Sequence, residues 1–335
     1  MTRLGSSLAA GAMLAGGAMA CCIVTHAELA KMMKQENIIV WEPDTKTEHF
    51  IRNAKFATRA TDLGFVAPTP SVPKLEEVDA KAFTTLESLV EDFHVAGMNK
   101  SAAMDTETPA SKIDVIQNVE VAGYNAVTLR ASDAKGLAEW MKQSGFVSTP
   151  AIQSWTDFYI QKGWYFTAFK VNVTDGRAET GLVKMSFKTE RPFNPYFVPA
   201  DNLPAADQRE GLALYFVSTG IYSPEGDHAS FKMSVAAPLR PEDSTDLKSQ
   251  LRLANLPKDA TVAAFTDSTF PNGAQDDLYF EQSGPKPEWP KAPSVGIASE
   301  NADGSENPSE PFPIIPVVAA VLVVLGGVLL WRNRK

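Results

Sequence analysis

The stretch 38–52, IIVWEPDTKTEHFIR, decides the fold because it holds two strand patterns on either side of a turn. Ile38 to Trp41 is a short continuous apolar run, which is typical of a buried strand. Pro43-Asp44 follows it and favours a turn. From Glu48 to Thr58 polar and apolar residues alternate, which predicts a half-buried strand. The stretch therefore predicts a pair of strands in an antiparallel sheet.

Two hairpins are predicted further along the chain. The first joins Asp114–Val121 to Tyr124–Arg130. The second joins Trp164–Val173 to Glu179–Lys188 through Asp175-Gly176, a dipeptide that favours a two-residue hairpin turn. Further strands are predicted at Leu63–Ala67, Leu212–Ile221, His228–Ala236, Ala260–Thr266 and Leu278–Glu281.

Three segments carry apolar residues at helical spacing. The first is capped by Asp79 and runs to Phe93, and the second is capped by Asp133 and ends before Gly145. The third covers Ala151–Gln161 and places its aromatic residues on one face. Strands and helices together predict an α+β fold, a β-rich body with antiparallel sheets and about three helices.

The body contains a faint internal similarity. Phe56-Ala57-Thr58 precedes a strand broken by proline, and Phe187-Lys188-Thr189 precedes another. This predicts two similar halves, near 30–145 and 150–282, which arise either from duplication or from two uses of the same way to end a strand.

The C-terminal stretch from Phe312 to Trp331 is apolar and holds no charged residue. A helix of this length spans ~30 Å, the thickness of a bilayer's hydrocarbon core, so residues 312–331 are predicted to form a transmembrane helix. The basic tail 332–335, with Arg332, Arg334 and Lys335, predicts a cytoplasmic C-terminus. The same pattern resembles bacterial sorting signals, in which the helix is a transient anchor that is later cleaved.

Residues 1–20 have the pattern of a secretory signal peptide, with Ala18-Met19-Ala20 as the cleavage site. Cleavage after Ala20 would leave Cys21 at the mature N-terminus. Cys21 is then a candidate for lipidation, and the alternatives are a processing remnant or an intermolecular bridge. Residues 21–282 are thus predicted to be an extracytoplasmic body on a single-pass anchor in the cell membrane. The segment 283–311, rich in Pro, Ser, Gly, Glu and Asn, is predicted to be a disordered stalk.

Composition excludes some partners. The chain holds 40 Asp and Glu against 31 Lys and Arg, and several positive charges lie in its two ends. A body this acidic is not expected to bind nucleic acid or an anionic lipid surface. Its two cysteines, Cys21 and Cys22, precede the body's strands, so the fold is expected to depend on packing without a disulfide.

No motif for catalysis, cofactor binding or metal binding is found. The four histidines are scattered, and the pairs Glu76-Glu77 and Asp276-Asp277 lack the alternating oxygen ligands of a calcium loop, so solvated turns are predicted there. The aromatic segments 164–166 and 193–197 are expected in the core, with a carbohydrate or peptide groove as the alternative. No catalytic residue, cofactor or metal ligand is assigned.

Several stretches resemble an uncharacterised bacterial envelope family, the domain of unknown function 2330. They include Phe65-Val66-Ala67-Pro68-Thr69-Pro70, the run 133–140 (DAKGLAEW) and the run 159–166 (YIQKGWYF). The resemblance covers roughly residues 21 to 240 and implies a secreted or anchored protein, with a signal peptide followed by cysteine. It implies no catalytic residue.

Three classes of function follow from these patterns. The first is a partner-binding or structural ectodomain that contacts a protein or polymer of the cell envelope. The second is an envelope hydrolase whose carboxylates are brought together only by folding. The third is a small-molecule or metal sensor, which a cytoplasmic tail of about four residues makes less favourable.

Overall fold

A computed structural model of the chain describes residues 22–23, 30–58, 64–95, 116–171, 173–174, 177–178, 181–209, 211–226 and 228–288. None of the helices in these ranges combines the length and the apolar composition that a membrane span requires. Several predicted features lie outside the described residues: the signal peptide, the Ala20–Cys21 cleavage site, most of the stalk, and the anchor from Phe312 to Trp331 with its tail Arg332, Arg334 and Lys335.

The described residues form a β-rich α+β fold with mainly antiparallel sheets, as predicted. The strands are β1 (Cys22–Ile23), β2 (Ala30–Glu42), β3 (Thr47–Thr58), β4 (Gly64–Thr69), β5 (Lys74–Val78), β6 (Gln117–Val121), β7 (Tyr124–Arg130), β8 (Tyr165–Val171), β9 (Val173–Thr174), β10 (Arg177–Ala178), β11 (Leu182–Lys188), β12 (Phe193–Asn194), β13 (Leu212–Thr219), β14 (Ile221–Pro224), β15 (Lys232–Pro238), β16 (Ala260–Asp267) and β17 (Leu278–Gly284).

The helices are α1 (Lys81–Val95), α2 (Ala134–Gln143), α3 (Pro150–Gln161) and α4 (Pro241–Gln250), with two single 3₁₀ turns at Ala200–Asn202 and Ala206–Gln208. The first three match the predicted helices. The Asp79 side chain accepts a hydrogen bond from the Lys81 amide at 2.9 Å, and Asp133 accepts one from the Gly136 amide at 2.7 Å.

Sequence reasoning missed α4, so the expectation of about three helices was too low. Leu247 is the one aliphatic residue in this helix, and an apolar stripe therefore could not be detected. The local signals were Pro241 in the first turn and the acidic Glu242 and Asp243 beside it. The strand β5 was missed as well, and β17 runs two residues beyond the predicted end of the body.

The largest sheet has seven strands in the order β15-β16-β13-β2-β3-β11-β5. The predicted pair β2 and β3 is antiparallel, with Ile38 opposite Ile51. The strand β13 runs parallel to β2 on its other side. Strands from the two predicted halves share this sheet, since β11 lies between β3 and β5.

A second sheet has five strands in the order β1-β4-β8-β7-β6. Its predicted hairpin β6–β7 is confirmed, with Val121 opposite Tyr124. The two residues between them, Ala122 and Gly123, have φ angles of 51° and 78°, as this tight turn requires. The strands β12, β17 and β14 form a small third sheet, and β9 pairs with β10.

The hairpin predicted around Asp175-Gly176 is wrong beyond its tip. Thr174 pairs with Arg177, but β8 then joins the five-stranded sheet and β11 joins the seven-stranded one. Each of the two strands pairs on both of its edges within its own sheet, which one isolated hairpin cannot provide.

The seven-stranded sheet buries both of its faces. On one face Ile38, Val40 and Ile51 pack with leucines of α1 and α4. On the other face Ile39 and Phe50 belong to a larger cluster, which also contains residues of the five-stranded sheet, α2 and α3. We call these the helix face and the core face of the sheet.

Candidate functional site

Strand β3 places consecutive residues on opposite faces of the large sheet. His49 shares the helix face with Ile51, whereas Glu48 shares the core face with Phe50. Two candidate sites follow from this alternation. One is built around His49 at the margin of the helix face, and the other is built around Glu48 inside the core.

The first site is a chain of three side chains, which we call the Ser186 site: Ser186, His49 and Glu42. The register of β11 and β3 puts Ser186 directly opposite His49. The Ser186 Oγ lies 2.8 Å from His49 Nδ1, and His49 Nε2 lies 3.2 Å from Glu42 Oε1. Thr45 Oγ1 donates to the other oxygen of Glu42 at 2.8 Å.

The hydrogen-bond pattern fixes which nitrogen of His49 carries the proton. The carboxylate of Glu42 can only accept, so Nε2 carries the hydrogen. In the neutral ring Nδ1 is then the acceptor, and the Ser186 hydroxyl donates to it. This is the arrangement that a general base needs when it withdraws a proton from a nucleophile.

Burial favours the neutral form of the His49 ring. Burial lowers its pKa below the usual value; the hydrogen bond to Glu42 opposes the shift, and the charge of Lys184 reinforces it. The side chains of His49 and Glu42 are 12% and 20% exposed, so the Ser186 site is in partial contact with solvent.

Three lysines share the face of Ser186. Lys184 and Lys188 lie two residues before and after it on β11, and Lys74 lies directly opposite it on β5. Lys184 Nζ is 3.2 Å from Glu76 Oε2, while Lys74 Nζ is 2.7 Å from Glu76 Oε1. Glu76 therefore lies in a strand between two ammonium groups, not in the solvated turn predicted for it.

The buried Lys184 also supports the fold. Its ammonium group donates to the carbonyls of Leu251 and Arg252, each at 2.7 Å, just after α4. Burial lowers the pKa of Lys184, and the nearby Glu76 carboxylate opposes the shift. Lys188 Nζ instead donates to Thr45 O at 2.6 Å and Thr47 Oγ1 at 2.7 Å.

The second site is a pair of buried acids, Glu48 and Asp277, which we call the carboxylate pair. Glu48 Oε2 accepts from the Phe193 amide at 2.9 Å. Asp277 Oδ1 accepts from the Tyr159 hydroxyl at 2.8 Å and from the Tyr196 amide at 3.0 Å. The remaining oxygen of each acid, Glu48 Oε1 and Asp277 Oδ2, is buried and has no hydrogen-bond partner among the described residues.

Burial raises the pKa of both acids. It raises the pKa of Glu48 well above its usual value, although the Phe193 amide opposes the shift and the charge of Asp277 adds to it. It raises the pKa of Asp277 to about 6, against the hydrogen bonds that Asp277 accepts. The solvated turn predicted at Asp276-Asp277 is therefore wrong for Asp277, while Asp276 is exposed and pairs with Lys162 at 2.8 Å.

The carboxylate pair holds a main-chain segment. Residues 193–197 donate amides to Glu48 at one end and to Asp277 at the other. The Tyr196 hydroxyl also donates to Asp267, another buried acid. Folding has brought distant carboxylates together, as the predicted hydrolase alternative requires, but these acids bind the protein's own backbone inside the core.

The aromatic segments are also in the core, as expected. Trp164, Phe166, Phe193 and Tyr196 are buried, and the indole of Trp155 donates to the carbonyl of Phe197 at 3.0 Å. Among residues in the described ranges, no group of three or more His, Cys, Asp and Glu side chains could hold a metal ion.

An open groove of about 1050 Å³ lies where β15, α4 and the end of β17 meet. Leu239, Leu256 and four prolines contribute apolar surface to it. Lys248 is exposed on its rim and forms no ion pair within the described residues, while Lys286 Nζ lies 3.0 Å from Asp259 Oδ1.

Sequence reasoning assigned no residue of the Ser186 site. His49 was one of four scattered histidines, and its neighbours Glu42 and Ser186 lie 7 and 137 residues away. The available signal was the alternation of polar residues in β3 and β11, which shows that His49 and Ser186 each face one side of a sheet. It does not show that the two strands are neighbours.

The chain belongs to a bacterial family described as "uncharacterized protein conserved in bacteria (DUF2330)", whose sequence profile matches residues 15–234. The resemblance recognised in the sequence is thereby confirmed. No curated protein matches the chain by sequence.

Among solved structures, the chain is similar to baculovirus P35, with 9% identity and a TM-score of 0.39 over 78% of this chain and 99% of that one. The complex of caspase-8 with P35 gives 7% identity and a TM-score of 0.37, over 75% of this chain and 96% of that one. These scores are too low to assign a fold or a function to this chain.

Proposed function

We propose that this protein is a membrane-anchored domain exported to the bacterial cell envelope, where it binds a partner. The N-terminal pattern of residues 1–20 and the apolar run from Phe312 to Trp331 support the anchored topology. The basic residues Arg332, Arg334 and Lys335 support a cytoplasmic C-terminus.

The open groove supports the binding part of this proposal. Its lining includes Lys286, Pro287 and Glu288, the last described residues, after which residues 289–311 lead to the anchor. The stalk predicted from the sequence of these residues would span ~24 to 29 Å. The groove is lined by the residues that directly precede this linker, and on the anchored topology proposed above it would be within reach of proteins embedded in the membrane.

The partner that fits this groove best is an envelope protein with an extended segment that carries carboxylates. Prolines and leucines offer apolar contact, and Lys248 offers a positive charge that no described residue neutralises. A charge at the rim of an interface contributes mainly to the association rate and to specificity.

Single cysteines, introduced into a chain with Cys21→Ser and Cys22→Ser, can test both the exported topology and the partner at the groove, because the chain has no other cysteine. Asn255→Cys places a thiol in the groove, and Lys135→Cys places a matched thiol on exposed α2, away from it. We expect a membrane-impermeant maleimide to label both variants in unlysed spheroplasts. Labelling that requires lysis would contradict the exported topology.

A thiol-specific photo-cross-linker then tests the groove. We expect Asn255→Cys, but neither Lys135→Cys nor the parent chain, to yield a discrete protein adduct in whole cells. The same adducts from both variants would contradict a partner at the groove, and a smear removed by polysaccharide hydrolases would identify a polymer instead.

A further inference from the structure

We propose that Ser186 is the nucleophile of an esterase site, which acts on small esters that carry a negative charge. His49 is the catalytic base in this proposal, and Glu42 is a positioning residue that acts through His49. This activity is independent of the groove, whose lining includes none of these three residues.

The first support is the order of the hydrogen bonds. A weak nucleophile becomes reactive when a base is within hydrogen-bond reach and a third group orients that base. Ser186 Oγ and His49 Nδ1 are 2.8 Å apart, and Glu42 holds the opposite ring nitrogen at 3.2 Å. Thr45 in turn fixes the second oxygen of the Glu42 carboxylate. The serine, the histidine and the carboxylate therefore stand in the order that a nucleophile, its base and an orienting group require.

The second support is the charge around the serine. Lys184 and Lys188 flank Ser186 on its own strand, and Lys74 lies across from it. Glu76 pairs with both Lys74 and Lys184, so Lys188 is an ammonium group beside Ser186 that has no carboxylate partner among the described residues. Lys74 and Lys188 are exposed, so an otherwise acidic chain presents positive charge beside its candidate nucleophile, which favours an anionic substrate.

The chemistry balances with water as the only co-reactant. Ser186 Oγ attacks the ester carbonyl while its proton passes to His49 Nδ1. The bond to the alkoxide leaving group breaks, and that group takes the proton from Nδ1 and departs as an alcohol. Water then attacks the acyl-serine, His49 accepts and returns a proton, and a carboxylic acid leaves with Ser186 restored. The exposed ammonium groups of Lys74 and Lys188, on the same face as Ser186, favour the negative charge that forms on the carbonyl oxygen.

The test uses the full-length protein in detergent, with a fluorophosphonate probe and peptide mass spectrometry. We expect the label on Ser186 and none in Ser186→Ala or His49→Gln. Ser234→Ala is the matched control, since this serine is exposed on β15 of the same sheet. Absence of label in the parent protein, or a label on another residue, would overturn the proposal.

Turnover gives a second measurement. We expect the parent protein to hydrolyse 4-nitrophenyl hemisuccinate in preference to neutral 4-nitrophenyl acetate, with kcat at least about 100-fold lower in Ser186→Ala. Thermal melting confirms that each variant is folded. If folded Ser186→Ala hydrolyses the hemisuccinate as fast as the parent protein does, the proposal fails.

Two variants separate the roles of the remaining residues. Lys188→Met is expected to raise KM for the hemisuccinate about 10-fold and to leave KM for the acetate unchanged.

Glu42→Gln is expected to lower kcat and to shift the pH profile of kcat to lower pH, because the His49 ring loses its anionic partner. The other charged groups facing His49 are Glu76, Lys184, Lys74 and Lys188, and they are unchanged in Glu42→Gln. An unchanged pH profile of kcat would show that Glu42 does not act through His49.

Discussion

His49 and Glu48 are neighbours in one strand, yet their surroundings differ in almost every respect. His49 lies at the margin of the helix face, where side chains bind one another and solvent has access. Glu48 lies on the core face, fully buried, and binds a main-chain amide. The comparison shows that adjacent residues of one strand can have different roles. His49 is accessible for chemistry on one face of the sheet, while Glu48 supports the fold on the other face.

The two faces also respond to pH in opposite directions. Burial shifts both groups toward their neutral forms, but Glu48 is an acid and His49 is a base. The raised pKa of Glu48 contributes stability that is present below its unfolded pKa and is lost as pH rises through the folded value. The lowered pKa of His49 contributes stability that is present above its unfolded pKa and is lost as pH falls through the folded value.

The largest effect is expected at the core face. Asp277→Ala leaves the Tyr159 hydroxyl and the amides of Tyr196 and Phe197 buried without their acceptor. We expect a loss of ~3 to 5 kcal/mol in the free energy of unfolding, measured by urea denaturation.

Asp276→Ala is the control for that variant. Asp276 is exposed, and its ion pair with Lys162 is worth at most ~1 kcal/mol. Equal losses for the two neighbouring aspartates would show that the core face does not depend on the buried acid.

A smaller effect is expected on the helix face from Lys184→Met. The change keeps the apolar stem but leaves the carbonyls of Leu251 and Arg252 without their donor, so we expect a loss of ~2 to 3 kcal/mol. Lys188→Met, on the same face and strand but exposed, should cost less than about 1 kcal/mol. Melting of the two variants side by side decides between a structural and a surface role for Lys184.

Glu48→Gln should change how the free energy of unfolding varies with pH more than it changes that free energy at any one pH. Glutamine keeps an acceptor for the Phe193 amide but cannot ionise. We expect the parent protein to lose stability from pH 5 to pH 8, and the variant to lose less, with the remainder due to Asp277, whose pKa is about 6. Urea midpoints at the two pH values measure the difference. An equal loss of stability in the two proteins would refute the raised pKa of Glu48.

The smallest effect is expected from His49→Gln. This half-buried ring needs no proton at neutral pH, so stability at pH 7.5 should change by less than about 1 kcal/mol. At pH 5 the parent protein must either protonate a desolvated ring or keep it neutral at a cost, and the variant avoids both. The variant should therefore lose less stability on acidification, the opposite direction to that of Glu48→Gln.

The sequence alone determined those features that depend on nearby residues. The β2–β3 pair, the β6–β7 hairpin and the capped helices α1 to α3 were predicted because a turn, a cap or a periodic pattern lies within a few residues of each element. The same alternation in 48–52 also showed that consecutive side chains of β3 point to opposite faces.

Tertiary structure alone decided which distant strands became neighbours. Nothing local directs β11 away from β8 and into the gap between β3 and β5, because that choice depends on which apolar faces can be buried together. The same choice placed Ser186 opposite His49 and buried Asp277 while leaving Asp276 in solvent. Side-chain alternation fixes the face of a residue, but its partners depend on strand order, and strand order is set by packing across the whole body.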